Sequence, residues 1–296
     1  MSDTRTLNFD FLPTLGEGYR KVVFLRKKGL RKGETLPRIE AHVAGIHLDR
    51  EKYDRYLSLC RFPGEDLPPT YPQVLAGPLH LAMLCTPEFP ISALGLVHTE
   101  NRIVLHRPID PAETFTLDCH IEGHRDVDRG VEIDLITELS AGGEGVWTAV
   151  STMLSITKKR ADKAKDKNSP PKGDAPGNER SVIFTVGSDA GRRYAAVSGD
   201  YNPIHLYPLT AKLFGFKRPI AHGMWTLARC VAEMDRDVDP GAVILDVKFK
   251  RPVMLPTRAL FVSSPERTGK RFVLSSPESG RIYLEGHYGP RDERLH

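Results

Sequence analysis

The sequence SGDYNPIHLYPLTAKLFGFKRPIAHGM, from Ser198 to Met224, constrains both the fold and the site more than any other stretch. It places an acid, Asp200, and a histidine, His205, on a segment interrupted by glycine and proline. Because glycine and proline punctuate loops rather than helix interiors, both titratable groups are predicted to lie on one shaped loop. A second turn, ending at Gly223, opens an apolar helix. Acid/base groups beside the free N–H groups of a helix start suit proton transfer next to an oxyanion.

Histidine titrates near neutral pH, so His205 is predicted to exchange protons with a water that it shares with Asp200. Asn202 is predicted to hold the loop by hydrogen bonds to the backbone. Gly223 at the helix start lets a substrate carbonyl come close to an unpaired N–H, which would stabilise an enolate oxygen.

Two further residues of this segment are assigned to loop support or substrate binding. Ser198 stands at its start, and His222 is expected to hydrogen-bond the loop without being catalytic.

The composition of the 296 residues is that of a globular protein, with 40% hydrophobic and 27% charged residues. A net charge of +4 is far from the strongly basic composition of a nucleic-acid binder, so no nucleic-acid partner is predicted. The four cysteines form no CxxC pair and are expected to be reduced thiols, and no Cys/His cluster has zinc-ligand spacing, so no zinc site is expected. Without a signal-peptide pattern or a membrane-length apolar run, the protein is predicted to be cytoplasmic and free of membranes.

Basic residues cluster at Arg26–Lys32 and at Lys158–Lys172. Such runs are mostly solvated faces or linkers. The functional alternative is attraction for an anionic carrier, such as the phosphates of coenzyme A or an acidic carrier protein.

A polar, proline-containing segment divides the chain into residues 1–157, a linker at 158–180, and residues 181–296. Both parts carry an alternating run that ends in Arg-Pro, at Arg107 and at Arg251. Upstream, Gly77 and Gly223 each precede an apolar, helix-like stretch at nearly the same spacing, which indicates a duplicated unit.

Each unit is predicted to contain one buried helix followed by long antiparallel strands, which gives an α+β fold. The second-half helix is expected at Met224–Met234. The predicted strands are Phe115–Ile121, Val131–Leu139, Val146–Ile156, Ala242–Lys250, Arg271–Leu274 and Arg281–Glu285.

The motif SGDYNPIH followed by GFKRPIAHGM resembles that of the MaoC-like dehydratases, which include the R-specific enoyl-CoA hydratases. The resemblance implies a double hot-dog fold, in which an antiparallel sheet wraps a helix in each of two tandem units. It also implies that Asp200 and His205 are the catalytic pair, that Asn202 supports the loop, and that Gly223 donates its N–H to the thioester oxygen. The first half, around Tyr53–Arg61, lacks this motif and is expected to be a degenerate unit that makes room for the acyl chain.

The implied reaction is reversible syn addition of water to a trans-2-enoyl thioester of coenzyme A or acyl carrier protein, giving an (R)-3-hydroxyacyl thioester without metal or redox cofactor. Two alternatives remain: a hot-dog thioesterase, and a non-catalytic subunit that binds acyl thioesters. A double hot dog supplies its own partner half, so either a monomer that is a pseudo-dimer or a homodimer is expected.

Overall fold

The computed structural model describes residues 4–15, 27–31, 33–64, 66–157, 179–234 and 242–290. Within these ranges eleven strands form one sheet, and five α-helices accompany it. The first-half elements are β1 (Arg5–Phe9), β2 (Ile39–Ile46), α1 (Arg50–Cys60), α2 (Pro72–Leu84), β3 (Leu96–Leu105), β4 (Phe115–Val127), β5 (Gly130–Ala141) and β6 (Glu144–Ile156). The second-half elements are β7 (Arg180–Val186), α3 (Ala190–Ser198), α4 (Pro208–Leu213), α5 (Gly223–Met234), β8 (Val243–Phe249), β9 (Thr257–Pro265), β10 (Lys270–Ser275) and β11 (Ile282–Pro290).

The strand order is symmetric about the junction between the halves. It runs β1-β2-β4-β5-β6-β3-β8-β11-β10-β9-β7, so that β2, β4, β5, β6 and β3 mirror β7, β9, β10, β11 and β8. Neighbouring strands pair antiparallel, except that β1 runs parallel to β2. The two halves join through β3 and β8, from the pair Glu100 and Lys248 to the pair Leu105 and Val243. The predicted duplication therefore corresponds to two similar sheets fused edge to edge.

Two helices form the centre of the core. In α5 every residue from Trp225 to Met234 is buried, because the helix is apolar around most of its circumference. In α2 nine residues are buried, and the helix packs on β2, β4 and β5. The alternating pattern predicted for β8 is also observed, with Val243, Leu245 and Val247 on the buried face.

The sequence-based element boundaries need three corrections. Helix α2 begins at Pro72 and contains Gly77 and Pro78, so Gly77 is not the counterpart of Gly223 at a helix start. The linker predicted at 158–180 ends earlier, because Arg180 is already the first residue of β7; residues 158–178 lie outside the described ranges. Ser198 belongs to the last turn of α3 rather than to a loop.

Helices α1 and α3 were not predicted, although α1 has a clear amphipathic pattern, with Tyr53, Tyr56, Leu57 and Cys60 buried along one face. The sheet order makes α1 the counterpart of α3. The first-half counterpart of the Asp200 loop is therefore the segment that follows Cys60, and not Tyr53–Arg61 itself. Among the described residues no helix is long and apolar enough to cross a membrane.

Candidate active site

The end of α3 shapes the loop that carries Asp200. Gly199 terminates the helix in the left-handed region, at φ 78°, which side chains other than glycine's rarely allow. The Ser198 hydroxyl donates to the Tyr194 carbonyl at 2.8 Å and accepts the Asp200 N–H at 3.2 Å. The Asp200 carboxylate in turn accepts the Asn202 N–H at 3.1 Å. Ser198 thus holds the backbone of Asp200, and the Asn202 N–H orients its carboxylate.

Asn202 begins the short 3-10 turn Pro203–His205, which holds the histidine. Its side-chain oxygen accepts the Ile204 N–H at 3.4 Å, as predicted for a residue that caps the loop. The turn is fixed from the other side by Thr210, whose hydroxyl donates to the Pro203 carbonyl at 2.7 Å. Helix α4 begins at Pro208, so His205 lies just before a rigid element.

His205 is buried, and its hydrogen bond determines its tautomer. Ring atom Nδ1 lies 2.8 Å from the Ile220 carbonyl, which can only accept, so Nδ1 carries the proton and Nε2 keeps its lone pair. Burial lowers the pKa of His205 below 6.5, although the Asp200 charge and the bond to Ile220 act in the opposite direction. The imidazole is therefore neutral at pH 7 and able to accept a proton at Nε2.

His222 is more closely involved with the pair than the sequence suggested. Its ring stacks on His205 with 3.6 Å between centroids, and its Nε2 donates to the Asp200 carbonyl oxygen at 2.9 Å. The same atom lies 3.7 Å from the Asp200 carboxylate. Burial and the neighbouring His205 lower the pKa of His222 to about 3, so it stays neutral. His222 thus ties the acid and the histidine together.

Gly223 is the first residue of α5, as predicted. The N–H groups at a helix start have no acceptor within the helix and carry partial positive charge. A Cβ at Gly223 would lie 3.1 Å from the Phe249 ring, so a larger residue there would press on that ring. The glycine therefore leaves space for a carbonyl to approach the start of α5.

Two residues that support this site were not identified from the sequence. Gly191 in α3 lets the turn Pro203–His205 pack against the helix, because a Cβ there would lie 2.0 Å from the His205 carbonyl oxygen. Tyr194 is buried and lies 4.9 Å, between ring centroids, from His222. The sequence feature that could have identified them is the helix Ala190–Ser198, which contains both residues and ends directly before the Asp200 loop.

These groups open into a cavity of about 530 Å³ that both halves line. Asp200, His205 and Gly223 lie on the second-half side. The first half contributes mostly apolar side chains, among them Val74, Leu81, Leu84, Leu94, Leu96, Leu135 and Met153. The cavity therefore extends from the acid/base pair into the first half.

A metal could in principle be held by Asp200, His205 and His222, whose ligand atoms come within 4.8 Å of one another. Both histidines already use one nitrogen to donate to a backbone carbonyl. The remaining nitrogen of His222, Nδ1, is buried with no hydrogen-bond partner among the described residues. To ligate through Nε2, His222 would have to give up its bond to the Asp200 carbonyl. The hydrogen bonding favours acid/base work over metal ligation.

Comparisons with known proteins agree with this fold and motif. Residues 167–272 match the family model of the MaoC like domain. The chain is 37% identical over 232 residues to 3-hydroxyacyl-thioester dehydratase X of Mycobacterium tuberculosis, covering 78% of this chain and 82% of the relative. It is 25% identical over 171 residues to the peroxisomal enoyl-CoA hydratase 2 of Arabidopsis thaliana, covering 53% of this chain and 55% of that protein.

Solved structures give the same result. The crystal structure of HtdX from Mycobacterium tuberculosis superposes with a TM-score of 0.73 at 31% identity, over 84% of this chain and 98% of that one. A conserved hypothetical protein from the same organism, reported to have a double hot-dog fold, superposes with a TM-score of 0.51 at 13% identity, over 88% and 96% of the two chains. The chain belongs to the MaoC-like dehydratase family and has its hot-dog fold in tandem, so the predicted fold class is confirmed.

Proposed function

We propose that this protein is a hydro-lyase that reversibly adds water to trans-2-enoyl thioesters and removes it from (R)-3-hydroxyacyl thioesters. The observation that carries the proposal is the neutral His205 with its Nε2 lone pair free beside Asp200, in a cavity that also contains the start of α5. Family membership and the dehydratase and hydratase activities named for the relatives support the same reaction class.

In the proposed mechanism, Asp200 and His205 hold one water between them. The water oxygen bonds to the β-carbon while one of its protons passes to His205 Nε2, and the protonated His205 then delivers that proton to the α-carbon of the enolate, which restores the neutral imidazole. The electron pair of the double bond moves toward the thioester oxygen, where the Gly223 N–H stabilises the developing charge. Dehydration is the same path reversed. Removing one proton-transfer group of this kind costs about 10²–10⁴-fold in rate.

The division of labour between the halves is part of the proposal. Residues 181–296 carry the catalytic groups, residues 1–157 form the wall for the acyl chain, and residues 158–180 contain the linker. One active site per chain follows, whether the protein is a monomer or a homodimer. The cytoplasmic location predicted from the sequence stays a prediction.

The thioester carrier is proposed to be coenzyme A or acyl carrier protein. The role of the two basic clusters in attracting this carrier stays a prediction, since Lys27 donates to the Thr86 carbonyl and Lys158–Lys172 lies outside the described residues. Support comes instead from Arg129 and Arg251, which line the cavity. Their charge suits the phosphates that both carriers share.

One assay tests the function. Purified protein is mixed with crotonyl-CoA and with a longer enoyl-CoA, and the loss of conjugated absorbance is followed. Asp200→Asn and His205→Gln should each lower kcat by about 10²–10⁴-fold. Asp54→Asn is the matched control, because this first-half acid is exposed and paired with Arg50, and it should leave the rate unchanged.

The outcomes separate the alternatives. Lack of hydration by the wild type, or full activity in both second-half variants, would overturn the proposal. Release of free coenzyme A thiol without hydration would identify a thioesterase. Binding of the enoyl thioester without either reaction would identify a non-catalytic subunit.

A further inference from the structure

The first half carries a cluster of polar side chains on the inner side of the sheet, beside the apolar wall of the cavity. They come from α2, β3, β5 and β6, which bring together residues far apart in sequence. This polar cluster consists of Gln73, His80, His98, Asn101, Thr137 and Ser151. Gln73, His80, His98 and Ser151 line the same cavity as the catalytic pair. None of the six has a role in the proposed mechanism.

Hydrogen bonds within the polar cluster are incomplete. The Asn101 amide nitrogen lies 3.1 Å from the Ser151 hydroxyl, 3.3 Å from His98 Nε2 and 3.5 Å from the Gln73 carbonyl oxygen. An amide nitrogen has two hydrogens, so it cannot satisfy all three. The Asn101 carbonyl oxygen is buried and has no partner among the described residues. The cluster therefore has hydrogen-bonding capacity that the described part of the chain does not use.

Both histidines of the polar cluster are uncharged. Burial lowers the pKa of His80 to about 4, with a smaller contribution from His98, and burial likewise lowers the pKa of His98 to about 4. His80 Nε2 is engaged by the Thr137 hydroxyl at 2.7 Å. The six side chains of the cluster include no cation to hold a phosphate and no carboxylate or thiolate to balance the charge of a metal ion. Their amide, hydroxyl and neutral imidazole groups can donate to and accept from an uncharged oxygen, which is therefore the better match for this surface.

The polar cluster lies close to the reacting end of the cavity. The His98 ring is 4.9 Å, between centroids, from the Phe249 ring, and Phe249 is the ring that a Cβ on Gly223 would touch. Asn101 Nδ2 also lies 3.8 Å from the sulfur of Met224, the residue that follows Gly223. An acyl chain that extends from a thioester at Gly223 into the first half would pass the Phe249 ring and then the polar cluster.

We propose that the polar cluster binds a hydroxyl or carbonyl oxygen on the acyl chain, so that this protein prefers oxygen-bearing enoyl thioesters to plain alkyl ones. The inference rests on the proposed function and specifies its substrate class. A site built to hydrogen-bond a substrate oxygen disfavours the analogue without it, because the site's own polar groups are then left unpaired. The amides of the pantetheine arm offer similar chemistry. The acyl chain is favoured because first-half apolar residues, including Leu81, Leu135 and Met153, line the cavity alongside the cluster.

The test compares matched pairs of enoyl-CoA substrates. Each pair has the same chain length, and one member carries a hydroxyl, placed at successive positions along the chain. The wild type should show a kcat/KM about tenfold higher for the hydroxylated member at one position, the advantage of one good hydrogen bond. Gln73→Met and His98→Leu should remove this preference, because the hydroxylated member loses its hydrogen bond and the plain alkyl member no longer leaves that polar group unpaired.

Arg102→Gln is the matched control, because Arg102 lies on β3 with His98 but is exposed and pairs with Asp246. It should keep the wild-type preference. If His98→Leu does not fold, Gln73→Met at the start of α2 tests the same point with a partly exposed residue.

Three results would overturn the inference. If alkyl substrates are hydrated and a hydroxyl gives no preference at any position, this inference is overturned and the proposed function stands. Equal loss of kcat/KM for both members of every pair in the two variants would assign the cluster to the pantetheine arm or to the fold. Absence of hydration of every thioester would overturn the proposed function and this inference together.

Discussion

The two halves of the molecule follow the same path up to one point, and then differ. In each half a helix ends in a left-handed residue, Arg61 at φ 63° after α1 and Gly199 at φ 78° after α3. Each path then leads to a buried helix that is followed along the chain by the strand at the sheet junction. In the second half that helix begins with Gly223, whereas in the first half it begins with Pro72.

The difference concerns chemistry rather than architecture. The segment after Arg61 contains no histidine before α2, and proline has no N–H to offer at the start of that helix. The first half keeps the sheet and the helices, and uses the space for apolar side chains and for the polar cluster. The first half therefore keeps the hot-dog architecture without the motif that carries Asp200 and His205, so that motif is not needed to form a hot-dog unit within this chain.

The largest loss of activity is expected when the second half is given the helix start of the first half. Gly223→Pro removes one N–H at a position where proline suits a helix, so α5 should still form. Loss of one oxyanion donor costs about 10²–10³-fold in kcat, which we expect for hydration of crotonyl-CoA. The converse change, Pro72→Gly in the first half, should leave kcat unchanged.

A control separates the missing N–H from crowding against Phe249. Gly223→Ala combined with Phe249→Leu keeps the N–H and relieves the 3.1 Å contact, so most of the rate should return. A Gly223→Pro variant that folds and keeps kcat within tenfold of the wild type would contradict the oxyanion role.

A second contrast lies in two ion pairs that join residues four apart on a helix. Arg229 and Glu233 on α5 are 3.1 Å apart, and their side chains are only 3% and 11% exposed. Arg50 and Asp54 on α1 are 2.9 Å apart, and their side chains are 57% and 50% exposed. Arg229 also donates to the Cys60 carbonyl at the end of α1, so the buried pair links the halves. Glu233→Gln should lower the free energy of unfolding by about 2 kcal/mol, because it weakens hydrogen bonds to a buried charge.

The exposed pair provides the comparison for this measurement. Asp54→Asn should change the free energy of unfolding by less than about 0.5 kcal/mol, because solvent screens the pair. Both values follow from urea unfolding curves of the full chain. Equal effects in the two variants would show that burial does not distinguish the two helices.

The sequence predicts best the elements whose backbone conformation is fixed by glycine and proline residues within the element itself. Gly199, Pro203 and Gly223 mark turns by backbone geometry, so the loop around Asp200 and the start of α5 were predicted within a residue. The start of α2 was misplaced because Pro78 lies inside the helix, where proline usually marks a boundary.

Features that depend on tertiary contact were beyond the sequence. The tautomer of His205 is fixed by the Ile220 carbonyl, and the stacking of His222 by the packing of two turns. Gly191 resembles any other helical glycine until the His205 carbonyl is placed against it. The polar cluster joins residues of four elements, and no spacing in the sequence links His80 to Thr137.

The smallest expected effect on the rate is that of pH. A fall in pH should affect the rate through the second half and the stability through the first half. Burial lowers the pKa of His205 below 6.5, so its neutral form persists as pH falls, and kcat/KM for hydration should change less than about twofold between pH 8 and 6.5. The pKa of both His80 and His98 in the first half is lowered to about 4, and these residues take no part in the proposed proton transfer. They bind protons more weakly in the folded chain than in the unfolded one, so stability is full above pH 6.5 and declines as pH falls toward 4. Rate profiles and urea unfolding at matched pH values test both statements. His80→Gln should lessen the acid loss of stability and leave the midpoint of the rate profile in place, whereas a rate midpoint above pH 6.5 in the wild type would show that His205 is not the neutral base.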